Sequence, residues 1–433
     1  MTTPVIRVGV IGAGYVGSAL VGLLLDEARH DALVDAATAT LEVVAVAVRD
    51  LDKPHPGVPA SLLTTDAAGL AASGDIDILV ELAGGLEPTR AYIESALSRG
   101  VSVVTANKAL MAERGTSLAR LGHEHGADLF YEAAVGGAVP ILRALRTSLA
   151  GERIERVMGI VNGTTNFILS QMTTEGSDYE TALAEAKARG YAEADPTADV
   201  EGFDAAAKVL ILASLAFGTE LRDERISRQG ISGIRTVDVE FARRAGYVIK
   251  LLGVAERVGE HGLSRRVHPA MVPVDHPLAA VHGPMNAVFV EGAISGPLMW
   301  LGEGAGGAPT ATAVLGDVLD AARNRVSGRH DVPFMVDDTL VRVSAGDLPS
   351  VYYISLDVAD EPGVLASVAS VFGKHRVSIQ SMEQFGVGNE ARLSFVTHHA
   401  LARDVDATIE ELAKIESVDS VGACIRVIDG GNP

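Results

Sequence analysis

The run Val5–Ile11, VIRVGVI, is a short β-rich stretch that passes at once into Gly12-Ala13-Gly14-Tyr15-Val16-Gly17 and then into the helical pattern SALVGLLLDEA. Strand, glycine turn and helix in that order are the opening βα unit of a dinucleotide-binding sheet. Gly12 permits the tight turn, Gly14 lets the backbone approach a pyrophosphate, and Gly17 lets helix and strand pack closely. Tyr15 and Val16 fill the turn and are cofactor contacts with it. Apolar strands over residues 41–48 and 76–82 follow, the second continuing into a glycine-containing tip at Gly84. Residues 101–105 and 129–131 continue the alternation, which predicts an α/β, doubly wound, mostly parallel sheet of Rossmann type. The second strand ends at Arg49-Asp50, where an NAD-preferring site usually places a carboxylate. Arg49, with Lys53 nearby, suits a 2′-phosphate instead and favours NADP(H) over NAD(H); the other reading is a local ion pair with Asp50 or Asp52.

A second segment, GYAEADPTADVEGFDAAAK from Gly190 to Lys208, holds five carboxylates, Glu193, Asp195, Asp199, Glu201 and Asp204, and ends in a lysine. Lys208 opens the run KVLILASLAF, apolar enough for a buried helix, so its ammonium would stand at the edge of a low-dielectric interior, ready to give up a proton. Asp204, four positions earlier, shares its helical face and would orient it. A surface i, i+4 ion pair is the plainer alternative. The acids would also suit Mg²⁺, against which the lysine and the apolar residues in the same stretch argue. Residues 162–166, NGTTN, precede the helical run FILSQM; alone they read as a helix cap.

At 433 residues the chain predicts two or three domains, and 48% hydrophobic with 21% charged residues places it among soluble globular proteins. Its net charge of −20 speaks against nucleic acid or an anionic membrane as partner. No apolar run approaches the roughly 18 residues of a spanning helix. Cys424 is the only cysteine, which excludes an intrachain disulfide and points to a cytoplasmic protein. Residues 344–349 read as a linker. Beyond it, residues 351–428 follow the order βαββαβ of a ferredoxin-like module. The turn Asp360-Glu361-Pro362-Gly363-Val364-Leu365 resembles the signature of ACT domains, small regulatory modules that bind amino acids, and Gly363 opens a helix whose free N–H groups suit an anion.

Thr105-Ala106-Asn107-Lys108, Glu132-Ala133-Ala134-Val135-Gly136-Gly137, NGTTN and the segment ending at Lys208 occur in one order. That series resembles homoserine dehydrogenases of the longer type with a C-terminal ACT domain, from the first strand to the end of the chain. The resemblance implies a Rossmann domain over 1–148 completed by 310–340, an α+β catalytic and dimerisation domain over 149–309, and an ACT domain over 350–433. It implies reversible reduction of L-aspartate 4-semialdehyde to L-homoserine with NAD(P)H. Carried over by position, Lys208 is the general acid/base, and Lys108 stands beside nicotinamide and substrate. Glu193, Asp204 and Asp199 contact the substrate, with Gly163 and Thr164 offering N–H and hydroxyl donors to its carboxylate. Thr105, Gly84 and Gly304 line the cofactor. Glu132 with the backbone of Val135, Gly137 and Val139 forms a Na⁺ or K⁺ site. A homodimer or homotetramer and inhibition by threonine at the Gly363 module are also implied. Two other functions stay open on residues alone: a different NAD(P)-dependent amino-acid dehydrogenase, and a catalytically silent amino-acid sensor.

Overall fold

The computed structural model describes residues 3–220, 226–331, 336–337, 339–386 and 391–428. The expected end of the C-terminal module at residue 433 lies outside the described residues. The chain groups into two compact units, Met1–Ile154 with Leu210–Glu224 and Glu291–Asp338, and Glu155–Val209 with Arg225–Val290 and Thr339–Pro433.

The first unit is built on β1 (Val5–Ile11), β2 (Thr40–Ala47), β3 (Leu63–Thr64), β4 (Ile78–Glu81), β5 (Ser102–Thr105) and β6 (Leu129–Phe130). All pair in parallel in the order β3-β2-β1-β4-β5-β6. The order reverses between β1 and β4, which opens a crevice at the C-terminal strand ends where such sheets bind ligands. β4 and β5 are buried along their whole length, as central strands of a parallel sheet covered on both faces must be. β3, only two residues long, was not predicted, because so short a strand carries no alternation. The helix Gly307–Ser327 starts three residues before the expected Thr310. Its Ala311, Val314, Leu315 and Val318 share one core with Val8, Val10, Leu20 and Val80, so a late segment completes the sheet of the first strands.

In the second unit β7 (Ile154–Ile160), β8 (Tyr247–Val258), β9 (Gly262–Pro273) and β10 (Met285–Gly292) are followed by β11 (Pro349–Val358), β12 (Ile379–Phe385), β13 (Arg392–Thr397) and β14 (Val418–Val427). The hydrogen-bonded path runs β10-β7-β8-β9-β14-β11-β13-β12. One face buries Met158, Ile160, Leu252, Val254, Ala287 and Phe289. On the other face Gly159 pairs with Gly253, and a Cβ built on Gly253 would stand 2.2 Å from Val209 Cγ2. Only glycine there lets the helix Phe203–Phe217 lie so close to the sheet.

The C-terminal strands pair antiparallel in the order β14-β11-β13-β12, with Phe372 of the helix Val364–Lys374 and Leu412 of the helix Ala402–Leu412 in one core with Tyr352 and Phe395 of the sheet, the βαββαβ module predicted. The module is not tethered by a loose linker. Ala345 and Leu348 are buried, Arg403 pairs with Asp347, and β14 joins β9 in parallel at Ala270–Arg426 and Met271–Val427. The helix Thr236–Arg244 adds a polar joint: fully buried Asp238 accepts from Tyr353 Oη at 2.9 Å and Ser355 Oγ at 3.0 Å. Arg235 reaches Asp357 at 2.6 Å. Against the upward push of burial, hydrogen bonds from Ser420, Arg235 and Arg392 bring Asp357 down to about 2.

Candidate active site

In the first unit the glycine turn is defined by what its backbone leaves no room for. Gly12 has φ +101, and a Cβ on it would stand 2.7 Å from the Ala83 nitrogen; one on Gly17 would stand 2.0 Å from the Gly12 carbonyl oxygen. Around Gly14 nothing lies within 4 Å of the built Cβ, so the space where a pyrophosphate belongs is clear. Gly14 precedes the helix Tyr15–Leu24 without any side-chain cap, which leaves the first-turn N–H groups for an anion. Tyr15 is 94% exposed. These residues fit a dinucleotide. Arg49, just past β2, is exposed and among the described residues has no ionic or hydrogen-bonding partner. Lys53 is paired with Asp50, at 3.9 Å.

The second wall of this crevice depends on a residue the sequence did not single out. Glu81, fully buried at the end of β4, accepts from the Ala83 and Gly84 N–H groups, both at 2.8 Å, and from Thr105 Oγ1 at 2.6 Å. Asn107 donates to the Gly85 carbonyl at 2.6 Å and caps Leu110 N–H at 3.1 Å, which starts the helix Lys108–Glu124. Lys108, exposed, is thereby presented at the helix N-terminus. The local signal, a strand-end glutamate in VELAGG, could have found Glu81.

Glu132 is buried, and its two carboxylate oxygens accept Leu142 and Arg143 N–H at 2.8 and 2.7 Å. Burial pushes its carboxyl up despite those bonds. Its own N–H binds Asp317, which burial and then the Glu132 charge raise to about 7. Gly136 and Gly137 are both left-handed, and a Cβ on Gly137 would lie 2.6 Å from the Gly304 carbonyl carbon. The Val139 carbonyl accepts Ile141 N–H at 2.8 Å. This all-oxygen donor set with one carboxylate fits a monovalent cation in kind, although such an ion would share acceptors already in use. Among the described residues no group of three or more His, Cys, Asp or Glu is placed to hold a metal.

The second unit gathers the lysine site. The helix starts at Phe203, which puts Asp204 in its first turn and Lys208 in its second. Lys208, 8% exposed, donates from Nζ to Asp204 Oδ2 at 2.8 Å and to the Val161 carbonyl at 2.6 Å. An ammonium has three N–H donors, so one is left for a ligand. Asn162 Nδ2 bridges Asp199 at 2.7 Å and Asp204 at 2.9 Å, while its Oδ1 caps Thr165 N–H at 2.9 Å. NGTTN is thus both a helix cap and a clamp on two acids. The Thr164 hydroxyl binds the Tyr191 carbonyl at 2.5 Å and Asp199 at 3.1 Å; it points to these internal acceptors, so Thr164 offers a ligand its backbone N–H instead. Gly163 leads the helix Gly163–Thr174, and a Cβ on it would meet the Pro284 carbonyl oxygen at 2.7 Å. Glu193 is exposed.

A 3-2-1-4-5-6 parallel sheet with this glycine turn, together with a buried lysine held by a carboxylate, defines a nicotinamide-dinucleotide-dependent oxidoreductase. Family models described as "Homoserine dehydrogenase, NAD binding domain", "Homoserine dehydrogenase" and "ACT domain" match residues 12–132, 140–319 and 352–417. A homoserine dehydrogenase of Corynebacterium glutamicum is 46% identical, with 98% of this chain and 95% of the relative covered; one of Mycobacterium tuberculosis is 46% identical over 98% and 97%. The crystal structure of a homoserine dehydrogenase from Thiobacillus denitrificans superposes with a TM-score of 0.91 at 37% identity, covering 99% of this chain and 100% of that one. A Staphylococcus aureus homoserine dehydrogenase at pH 8.5 gives 0.77 at 30%, with 99% and 100% covered. The chain belongs to the homoserine dehydrogenase family, with an ACT module at its C-terminal end. Among the described residues no helix is long and apolar enough to cross a membrane.

Proposed function

We propose that this chain reversibly reduces L-aspartate 4-semialdehyde to L-homoserine with NAD(P)H, in the route from aspartate to threonine, methionine and isoleucine. The observation that carries the reading is Lys208, buried, held by Asp204 and the Val161 carbonyl with one N–H to spare. Reduced nicotinamide, when bound, supplies the hydride. Lys208 gives the proton to the aldehyde oxygen as alkoxide charge develops, and Asp204 keeps Nζ aimed. Lys108 assists from the helix N-terminus it occupies. Glu193, Asp199 and Asp204 pair with the substrate ammonium, and the Gly163 and Thr164 N–H groups receive its carboxylate. In the reverse direction Lys208 takes the hydroxyl proton.

The cofactor is NADP(H) in preference to NAD(H), supported by the unpartnered Arg49 where a ribose phosphate would fall. Gly304 and Gly84 line its path. Na⁺ or K⁺ binds at Glu132 and the carbonyls of Val135, Gly137 and Val139, offsetting a buried acid. The protein works in the cytoplasm as a homodimer or homotetramer. Threonine is the effector at Gly363, which has φ +97 and open space around its built Cβ.

Absorbance of each reduced cofactor with aspartate semialdehyde tests the activity; no cofactor oxidation would sink it. The same assay with threonine tests control. Gly363→Glu, strained at that φ and repelling a carboxylate, should keep activity and abolish threonine inhibition. A variant as sensitive as the parent would remove Gly363 from the effector site.

A further inference from the structure

Asn286, the second residue of β10, is 1% exposed, yet neither its Oδ1 nor its Nδ2 has a hydrogen-bond partner. A buried carboxamide unpaired at both ends is costly, and it calls for a partner that the folded chain does not supply. Where it stands indicates which partner. Met285, Ala287 and Phe289 pack on the core around Met158 and Leu252, so strand alternation turns Asn286 and Val288 to the opposite face. That face is covered by the lysine helix: Gly159 pairs with Gly253, whose built Cβ would meet Val209, and a Cβ on Gly159 would come within 3.7 Å of Val288 Cγ2. Four residues on, a Cβ on Gly163 would lie 2.7 Å from the Pro284 carbonyl oxygen. The chain running out of β7 therefore advances from Gly159 to Gly163 as the segment leading into and along β10 is met in reverse, from Val288 to Pro284, which sets Asn286 beside Val161. Val161 is the residue whose carbonyl holds Lys208 Nζ, and the next residue, Asn162, clamps Asp199 and Asp204.

We propose that Asn286 is a further substrate-contacting residue of this site, its Nδ2 donating to the substrate oxygen that exchanges a proton with Lys208. This rests on the reading of Lys208 as the proton donor to a small amino-acid aldehyde. Lys208 has a single N–H to offer that oxygen, whereas an alkoxide accepts two or three bonds. A neutral amide beside it adds a donor without a second titrating group.

The test is Asn286→Leu in the full chain, with Asn286→Asp, which replaces the donor end by an acceptor. Homoserine oxidation and thermal unfolding are measured on both. If Asn286 serves the substrate, the leucine variant unfolds at the same or a higher temperature, since it loses an unsatisfied amide. Its kcat should fall by about 10² to 10³-fold, the usual effect of removing such a donor, with the cofactor KM unchanged. The aspartate variant should lose kcat as well. A leucine variant that unfolds at lower temperature with kcat intact makes Asn286 structural and overturns the proposal. So does one unchanged in both respects while the wild type is active. A wild type inactive towards homoserine with either cofactor overturns instead the reading beneath it.

Discussion

The glycine turn and the lysine site are built on opposite principles. The turn works by exclusion: Gly12 and Gly17 are sites where one extra carbon would collide with backbone, and Gly14 is a site where nothing stands. The lysine site works by occupation, with Lys208, Asp204, Asn162, Asp199 and Thr164 each bonded to the next in a chain of polar contacts that is buried at its lysine end and half-buried at Asp199. The first should therefore tolerate side-chain changes around it but no added volume. The second should tolerate little loss of any polar atom.

The largest effect expected is at Lys208. Lys208→Ala should lower turnover by about 10² to 10⁴-fold while cofactor affinity stays near normal. Steady-state kinetics with dinucleotide titration read both, and near-normal turnover would move proton transfer to Lys108. Next comes Arg49→Ala, which should weaken NADP(H) use by up to about 3 kcal/mol and spare NAD(H). Equal loss with both cofactors would make Arg49 structural.

The exclusion principle is sharpened by a pair. Gly17→Ala forces a carbon to 2.0 Å from the Gly12 carbonyl oxygen and should destabilise the fold by about 1–3 kcal/mol in denaturant melts. Gly14→Ala, with nothing within 4 Å, should leave the melt unchanged and weaken only dinucleotide binding. Equal destabilisation by the two would break the distinction.

The smallest effect concerns Asp357. Its carboxyl is held at about 2 against the usual 3.8, so the ionised form stabilises the fold. That contribution is fully present above the ordinary value and is lost as pH falls through about 2. Asp357→Asn should cost about 1 kcal/mol near neutral pH, a figure discounted because the side chain is partly exposed, and should flatten the acid limb of stability. An unchanged acid limb would remove Asp357 from that joint.

What the sequence disclosed follows the same division. Gly12 to Gly17 and the Asp204–Lys208 pair are local spacings, so the turn and the lysine helix were legible, as was the βαββαβ order from its alternation. The clamp of Asn162 on Asp199 and Asp204 joins residues 37 and 42 positions apart, and no local pattern announces it. The same holds for Tyr353 on Asp238, 115 positions apart, which helps turn an apparent linker region into a packed joint. The Thr164 hydroxyl was expected to face substrate because its neighbours alone do not show Tyr191 and Asp199 waiting behind it.

The pairing of β14 with β9 at Ala270 and Met271 bears on how regulation is to be dissected. Cutting the chain near residue 346 would strip that strand away and leave the backbone of β9 bare at Ala270 and Met271, a short template on which other chains can add strands and precipitate. Loss of threonine response in a truncated enzyme would then report clumping as readily as a missing effector site. Point substitution within an intact sheet separates the two, and light scattering on the shortened chain would reveal the sticky edge directly.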